Sequence, residues 1–149
     1  MISSEKYKDI LEEIPICCVD LLIHEGKKIL LIKRNEEPEK NKWALIGGRI
    51  HKKESLINAV KRKAFEEIGC EIEIEKFLGV YETVFDKGSF EDLKTGIHTI
   101  NITYLARLNN PKEEIKVDST SSEYKWFETI DKDVAIAVQK VIKDSKILD

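Results

Sequence analysis

Two adjacent glutamates near the middle of this 149-residue chain, Glu66 and Glu67, are well suited to do chemistry. Carboxylates side by side could share one divalent ion, and ligands that are all oxygen suit magnesium or manganese. The same stretch holds Gly48, then Glu54 six residues later, then Arg62 eight residues after that. Glu54 and Arg62 could take part in the chemistry, but we expect them instead to hold each other and to fix the loop between them.

A helix must position these side chains. The clearest helical pattern of the sequence covers residues 55–68, and Gly69 follows where a C-terminal cap belongs. The apolar stripe of this helix consists of Leu56, Ile57, Val60, Ala64 and Ile68.

The charged residues of this helix allow two interpretations. At about 100° per residue, Glu67 falls inside the edge of the apolar stripe, and Lys63 falls between Glu66 and Glu67. A carboxylate at that edge would be partly desolvated unless a cation meets it, which favours a metal site. The alternative is a solvated face with two i,i+4 ion pairs, Arg62 with Glu66 and Lys63 with Glu67.

The rest of the chain predicts a sheet and two more helices. Apolar spacing indicates a first helix at about residues 3–13 and a last helix at 131–142. Strands are predicted at 16–23, 28–33, 43–46, 71–85, 97–108 and 124–127. Hairpins and long loops around one central helix predict an α+β sandwich with a mixed sheet, in a single domain over residues 1–149.

Composition excludes several classes of protein. The net charge of −3, from 25 basic and 28 acidic residues, argues against broad nucleic-acid binding. No apolar run approaches the roughly 20 residues of a membrane span, and the first residues lack the apolar core of a signal peptide. We therefore expect a cytoplasmic protein with no membrane partner. The three cysteines are expected to be small buried hydrophobes.

The central motif resembles the signature of the Nudix hydrolases in six fixed positions: Gly48, Glu54, Arg62, Glu66, Glu67 and Gly69. The resemblance implies a Nudix α/β/α sandwich and the divalent-metal-dependent hydrolysis of a nucleoside diphosphate linked to another group. It also implies that Mg²⁺ or Mn²⁺ is held by Glu66, Glu67 and the carbonyl of Gly47.

One position departs from the family pattern. The family has a glutamate directly after the arginine, whereas this chain has Lys63, which cannot ligate a metal while charged. The GDP-mannose mannosyl hydrolases depart at the same position, and this chain is similar to that branch elsewhere. The further similarities lie at Ile14-Pro15, Asp20, Lys33-Arg34, Trp43, Gly47-Gly48-Arg49 and His98. This resemblance implies one metal and cleavage of the bond between the sugar C1 and oxygen.

Two features do not match that branch. Its general-base histidine corresponds here to Ser121, and the branch lacks the first glutamate of the pair, which this chain keeps as Glu66. Glu123, in the same loop as Ser121, is our candidate for a replacement base. Whether the bond to carbon or the bond to phosphorus is cleaved stays open.

Five residues are candidates to bind the substrate. Arg34 and Arg49 are expected to clamp the diphosphate, because forked donors suit phosphate oxygens. Lys63 could meet the diphosphate in the place of a second metal, pair with Glu67, or point to solvent. Asp20 could bind a sugar hydroxyl or sit at an exposed strand end, and His98 could bind substrate or pack in its strand.

Three functions are compatible with these residues. The first is hydrolysis of a nucleotide sugar such as GDP-mannose. The second is ordinary pyrophosphohydrolysis of nucleoside triphosphates or ADP-ribose. The third is a nucleotide-binding module whose catalytic activity is weak or lost. The partner in each case is a small nucleotide. The N-terminal helix predicts either a homodimer contact or packing against its own sheet.

Overall fold

A computed structural model describes residues 2–86 and 92–149, which form three helices and a seven-stranded mixed sheet. The helices are α1 Ser4–Glu13, α2 Leu56–Ile68 and α3 Ile136–Ser145. The strands are β1 Ile16–Glu25, β2 Lys28–Arg34, β3 Trp43–Ala44, β4 Ile46–Arg49, β5 Ile72–Phe85, β6 Ile97–Leu108 and β7 Ser121–Phe127. The predicted α+β sandwich with a mixed sheet is confirmed. No helix in the described part of the chain is long and apolar enough to cross a membrane.

Two strands, β4 and β2, pair with successive parts of the same edge of the central strand β1. The strand order is β3-β2-β1-β6-β5, in which β1 and β6 run parallel. On its other edge, β1 pairs with β4 through residues 18–21 and with β2 through residues 23–25, so two strands share one edge and diverge from it. The pairing of β1 with β4 places Asp20 opposite Gly47. The beginning of the central motif is thereby joined to the sheet.

Two apolar cores cover the two faces of the sheet, because side chains alternate along each strand. The core under α2 combines strand residues with one face of that helix: Val19, Leu21, Ile23, Ala59, Val60, Ala64 and Ile68. The core under α3 is built in the same way from Leu22, Ile29, Leu31, Val138, Val141 and Ile142. A third cluster packs α1 against its own sheet through Leu11, Ile16, Cys18 and Ile97.

The structure corrects three details of the sequence analysis. The last helix begins at Ile136 rather than at residue 131, because the backbone before it bonds to β3: the Trp43 N–H donates to Asp133 and the Ala135 N–H donates to Trp43. β7 begins three residues earlier than predicted, at Ser121. Cys17 is exposed, because burying Cys18 under α1 turns its neighbour to the opposite face of the strand.

The helix that carries the motif has a well-defined cap at each end. The Ser55 hydroxyl accepts the Asn58 N–H at 3.1 Å, and Gly69 ends the helix in the left-handed conformation, with φ 69°. The Gly69 N–H donates to the Phe65 carbonyl at 3.0 Å. These caps fix the helix at both ends and therefore fix the register of the glutamates along it.

The first prediction concerns the C-terminal cap. Gly69→Ala should lower the free energy of unfolding by about 1 kcal/mol, because a left-handed backbone is strained for any residue with a Cβ. A Cβ at this position meets nothing closer than Lys116 at 4.0 Å, so the loss comes from the backbone and not from a clash. Urea unfolding measures it, with Glu71→Ala as the exposed control. An unchanged midpoint for Gly69→Ala would contradict the prediction.

Candidate active site

A pocket with a volume of about 280 Å³ lies where β1, β4, β5 and β6 meet α1 and α3. Six residues predicted from the sequence line it: Asp20, Arg34, Gly47, Gly48, Arg49 and Glu67. Residues that are far apart in the sequence therefore contribute to one cavity, and that cavity reaches the motif through Glu67 and the glycine pair.

Glu67 is a buried carboxylate at this pocket, with an exposed fraction of 6%. Its Oε2 accepts the backbone N–H of Gly47 at 3.0 Å, and the Lys63 Nζ lies 3.9 Å from the same oxygen. Burial raises the pKa of Glu67 to about 7, an effect that Lys63 and the Gly47 N–H oppose and that the charges of Asp118 and Asp20 reinforce. The burial of this carboxylate, predicted from the helical wheel, is confirmed. The two ion pairs of the alternative interpretation, Arg62 with Glu66 and Lys63 with Glu67, are also present, and the metal site stays a prediction.

The glycine pair allows this close approach. A Cβ at Gly47 would collide with the Asp20 carboxylate and with the Val19 carbonyl, so no larger residue fits between β1 and Glu67. A Cβ at Gly48 would lie 2.8 Å from Cε of Lys63. Both glycines therefore hold the backbone of β4 against charged side chains.

Lys63 lies between the two glutamates, as its position on the helix predicts. Its Nζ is 3.3 Å from Oε2 of Glu66 and 3.9 Å from Oε2 of Glu67. The side chain is 19% exposed, so its stem is covered, in part by Gly48. An ammonium group thus occupies the helix position where the resembling family usually has another carboxylate.

Arg62 fastens the loop of the motif to the helix. Its Nε and a terminal nitrogen donate to both oxygens of Glu54, at 2.7 and 2.9 Å. It also donates to the Arg49 carbonyl at 3.0 Å and to Glu66 at 3.2 Å. The guanidinium lowers the pKa of Glu54 to about 2, and the His51 N–H acts in the same direction. Glu54 and Arg62 are therefore both charged at neutral pH.

The two arginines of the pocket are held by different contacts. The Arg49 guanidinium carbon lies 4.7 Å from the centre of the Tyr7 ring, at a distance typical of a cation–π contact. The Arg34 Nε donates to the Pro38 carbonyl at 2.7 Å. Tyr7 and Leu11 make α1 one wall of the pocket. Of the two arrangements considered for this helix, packing on its own sheet is therefore observed, and the homodimer stays a prediction.

Four candidates from the sequence do not line the pocket. Lys63 and Glu66 lie next to Glu67 on α2, whereas His98 and Glu123 lie on β6 and β7. His98 is 40% exposed, pairs with Glu82 at 3.0 Å, and points to the opposite face of β6 from Thr99, which lines the pocket. Glu123 is exposed on β7, opposite Lys33, and does not line the pocket. The placement of His98 and Glu123 offers no support for the roles of substrate ligand and base.

Ser121 occupies the position of the branch's general base. It is buried, and its hydroxyl has no hydrogen-bond partner among the described residues. A serine hydroxyl is a poor proton acceptor at neutral pH, so this position does not replace a histidine.

Four polar residues of the pocket were not identified from the sequence: Glu39, Thr83, Thr99 and Asn101. Asn101 donates to Oδ2 of Asp20 at 3.0 Å, Thr99 donates to Oδ1 of Asn101 at 2.8 Å, and the hydroxyls of Thr83 and Thr99 lie 2.5 Å apart. Burial raises the pKa of Asp20 to about 7, against the hydrogen bond from Asn101 and the charge of Arg34. Thr99 and Asn101 could have been recognised in the sequence, because they are polar residues at alternate positions of β6, a largely apolar strand.

The motif offers oxygen ligands for a metal. The carboxylates of Glu66 and Glu67 and the Gly47 carbonyl are hard donors, which suit Mg²⁺ or Mn²⁺. Within residues 2–86 and 92–149, no group of three or more His, Cys, Asp and Glu side chains is arranged to hold a metal ion. Lys63 lies beside both carboxylates, so a cation of the chain itself already meets them.

Comparison with known proteins points to one family. The NUDIX domain model matches residues 16–141. The low-salt glycan biosynthesis protein Agl8 of Haloferax volcanii is 30% identical over 127 residues, which cover 85% of this chain and 80% of that protein. The ADP-ribose pyrophosphatase of Methanocaldococcus jannaschii is 33% identical over 140 residues, covering 94% of this chain and 77% of that protein.

Solved structures agree with this assignment. A MutT NUDIX hydrolase from Burkholderia pseudomallei superposes with a TM-score of 0.72 at 27% identity, covering 89% of this chain and 98% of that one. The NUDIX domain of Shewanella oneidensis NrtR, solved with ADP ribose, superposes with a TM-score of 0.65 over 97% of each chain. Its identity of 19% supports the shared fold alone.

The second prediction tests the pair of Glu54 and Arg62. The pKa of Glu54 is lowered on folding, so the charged pair stabilises the fold above about pH 4.5, and this contribution fades as the pH falls to about 2. Glu54→Gln should therefore lower the melting temperature at pH 7, and the difference from the parent should shrink towards pH 2. Thermal unfolding across this range measures it, with the exposed Glu13→Gln as control. A difference that does not change with pH would contradict the prediction.

Proposed function

The chain belongs to the Nudix hydrolase family, and from that premise we propose that it hydrolyses a nucleoside diphosphate joined to a sugar, with the help of one divalent metal. The observation that carries the proposal is the composition of the pocket beside Glu67. Arg34 and Arg49 line it together with three carboxylates and with uncharged polar side chains, among a larger number of apolar residues. The carboxylates are Asp20, Glu39 and Glu67, and the uncharged polar side chains include Thr83, Thr99 and Asn101. Such a lining suits a substrate that is anionic in one part and rich in hydroxyls in another.

The motif supplies the charged end of this site. Glu66, Glu67 and the Gly47 carbonyl would hold Mg²⁺ or Mn²⁺. When bound, the metal would neutralise charge on the diphosphate and orient the attacking water. Glu67 is the main ligand in this proposal, because its carboxylate is buried at the pocket while that of Glu66 is half-exposed and turned to Arg62.

The cations of the chain orient the diphosphate. Arg34 and Arg49 both line the pocket, and their forked donors suit the geometry of phosphate oxygens. Lys63 acts as a point charge beside Glu67, in the place where further carboxylates would bring in a second metal. One metal and one ammonium then share the task of neutralising the diphosphate.

We propose attack at phosphorus rather than at the sugar carbon. Ser121 is buried and Glu123 is exposed outside the pocket, so the histidine base with which the GDP-mannose branch attacks carbon has no counterpart here. Cleavage at carbon is the second candidate, and the departure at Lys63 favours it, since the GDP-mannose mannosyl hydrolases depart there too. The names of the two relatives, a glycan biosynthesis protein and an ADP-ribose pyrophosphatase, support sugar-linked diphosphates as the class.

The third prediction is the test of this function. Incubation with GDP-mannose, ADP-ribose or GTP in the presence of magnesium should release a nucleoside monophosphate and a sugar phosphate from at least one sugar-linked substrate. Glu67→Gln should lower the rate tenfold or more, about 1.4 kcal/mol in activation free energy, because it removes the charge and keeps the shape. The matched control is Glu71→Gln, an exposed glutamate just beyond the helix.

The products separate the candidate functions. Nucleoside diphosphate with free sugar would show cleavage at carbon, and triphosphate hydrolysis alone would show an ordinary pyrophosphohydrolase. Binding of the nucleotides without turnover would show a binding module. Full activity in excess chelator would exclude a divalent metal.

The fourth prediction concerns Lys63. Lys63→Glu should raise the number of metal ions bound from one to two, since it completes a larger set of carboxylates. Lys63→Ala should weaken substrate affinity and keep one metal. Calorimetry measures the stoichiometry, and Lys61→Ala, an exposed lysine on the same helix, is the control. A parent that already binds two metals with substrate present, and a Lys63→Ala variant with normal turnover, would show that the lysine has no part in the site.

A further inference from the structure

The side chain of Arg49 is held by an aromatic ring rather than by a carboxylate. Its guanidinium carbon lies 4.7 Å from the centre of the Tyr7 ring, and both side chains are half-buried and line the pocket. Within the described part of the chain, Arg62 and Arg107 pair with carboxylates, whereas Arg49 forms no ion pair and its side chain donates no hydrogen bond. The contact with Tyr7 is therefore what restricts the end of this side chain.

The backbone of Arg49 is fixed from two sides. The residue lies opposite Cys18 in the antiparallel pairing of β4 with β1, and its carbonyl accepts a hydrogen bond from Arg62 at 3.0 Å. An arginine side chain is long and flexible, so a fixed backbone alone does not determine where the guanidinium lies. The ring of Tyr7 supplies this second restriction.

Contact with a ring restricts the guanidinium without using its hydrogen-bond donors on an oxygen. An aromatic ring attracts the cation through the electrons of its face and offers no oxygen to the N–H groups. Arg62 shows the contrast, because its donors are taken up by both oxygens of Glu54. Arg49 is thus oriented in the pocket while its donors stay available to an anionic ligand.

The ring is itself held in place, because α1 is fastened to the sheet beyond it. Leu11, one turn after Tyr7 and on the same face of the helix, is buried in the third apolar cluster. The Glu12 carboxylate accepts the backbone N–H groups of Lys94 and Thr95 at 2.9 and 3.1 Å. The ring is therefore presented to the guanidinium by a helix that is anchored to the start of β6.

We propose that Tyr7 is a positioning residue, which holds the Arg49 guanidinium where the diphosphate of the substrate binds. A side chain that is already oriented loses less conformational entropy on binding, so the affinity for phosphate is higher than with a mobile arginine. The N-terminal helix then acts in the binding of the diphosphate, through Arg49. The inference rests on the proposed function, because it takes Arg49 as a ligand of the diphosphate.

The test measures the affinity for inorganic pyrophosphate and for ADP. Both are titrated by calorimetry in chelator, where the metal-dependent reaction does not proceed. Tyr7→Leu should raise the dissociation constant about threefold or more, as the loss of an aromatic contact to a partly desolvated cation implies. The factor should be the same for both probes, because pyrophosphate has no base or sugar for the ring to touch. Tyr7→Met is the second variant if Tyr7→Leu does not fold.

Two further variants separate positioning from general support of the fold. Tyr7→Phe keeps the face of the ring, so its affinity for both probes should stay within about twofold of the parent. In an Arg49→Ala background, Tyr7→Leu should cause no further loss of affinity, because the guanidinium that the ring positions is gone. A merely structural role would lower the affinity equally in both backgrounds.

The matched control is Ile10→Val on the same helix. Ile10 packs against the same apolar cluster as Leu11 and does not line the pocket. The substitution weakens the packing of α1 slightly and leaves the ring of Tyr7 in place. Its affinity for both probes should equal that of the parent.

Five outcomes would overturn the inference. Three concern Tyr7→Leu: an unchanged affinity, a loss that persists in the Arg49→Ala background, and a loss for ADP alone. The others are an equal loss in Tyr7→Phe or Ile10→Val, and an Arg49→Ala variant that binds both probes like the parent.

The proposed function fails separately. If the affinities behave as described but no substrate is hydrolysed, Tyr7 still positions Arg49 and the hydrolytic proposal falls. If substrates are hydrolysed and Tyr7→Leu binds both probes like the parent, the hydrolytic proposal stands and the inference falls.

Discussion

The hydrogen bond from the Gly47 N–H to the buried carboxylate of Glu67 is the contact on which the rest of the site depends. Removing a carboxylate from water is unfavourable unless hydrogen bonds and a counter-charge replace its hydration. Here the backbone N–H of Gly47 on β4 supplies the hydrogen bond, and Lys63 supplies the counter-charge. The helix and the sheet are joined at this point by a polar contact in a largely apolar interface, so the position of the helix along the strand is specified.

The contact between Gly47 and Glu67 requires two residues without side chains on β4. The backbone can reach Glu67 only because Gly47 has no side chain to strike Asp20, and the stem of Lys63 can cross β4 only because Gly48 has none either. The loop between strand and helix is held in turn by Arg62, which bonds both Glu54 and the Arg49 carbonyl. These contacts form a continuous framework behind the pocket, and each is short-range and directional.

The parts of this site that were predictable from sequence are those encoded within one helix. Periodicity alone placed Glu67 at the edge of the apolar stripe and Lys63 between the two glutamates, because the angle between residues of a helix is fixed. The hydrogen bonds that Thr99 and Asn101 make with Thr83 and Asp20 were not predictable in this way. They depend on which strands are neighbours and in what register, and neither is a local property of the sequence. His98, which directly precedes Thr99 and therefore faces the other side of β6, was assigned a role that its position does not support.

Different elements of the fold build the charged part of the pocket and its opposite walls. The charged framework is built by α2 and the strand before it, whereas the opposite walls come from β5, β6 and the short helix α1, which contributes Tyr7 and Leu11. Substitutions on these walls can alter which molecule is accepted without disturbing the buried glutamate or its partners. The walls from β5, β6 and α1 can therefore set which molecule fits, while the residues around Glu67 set what happens to its diphosphate.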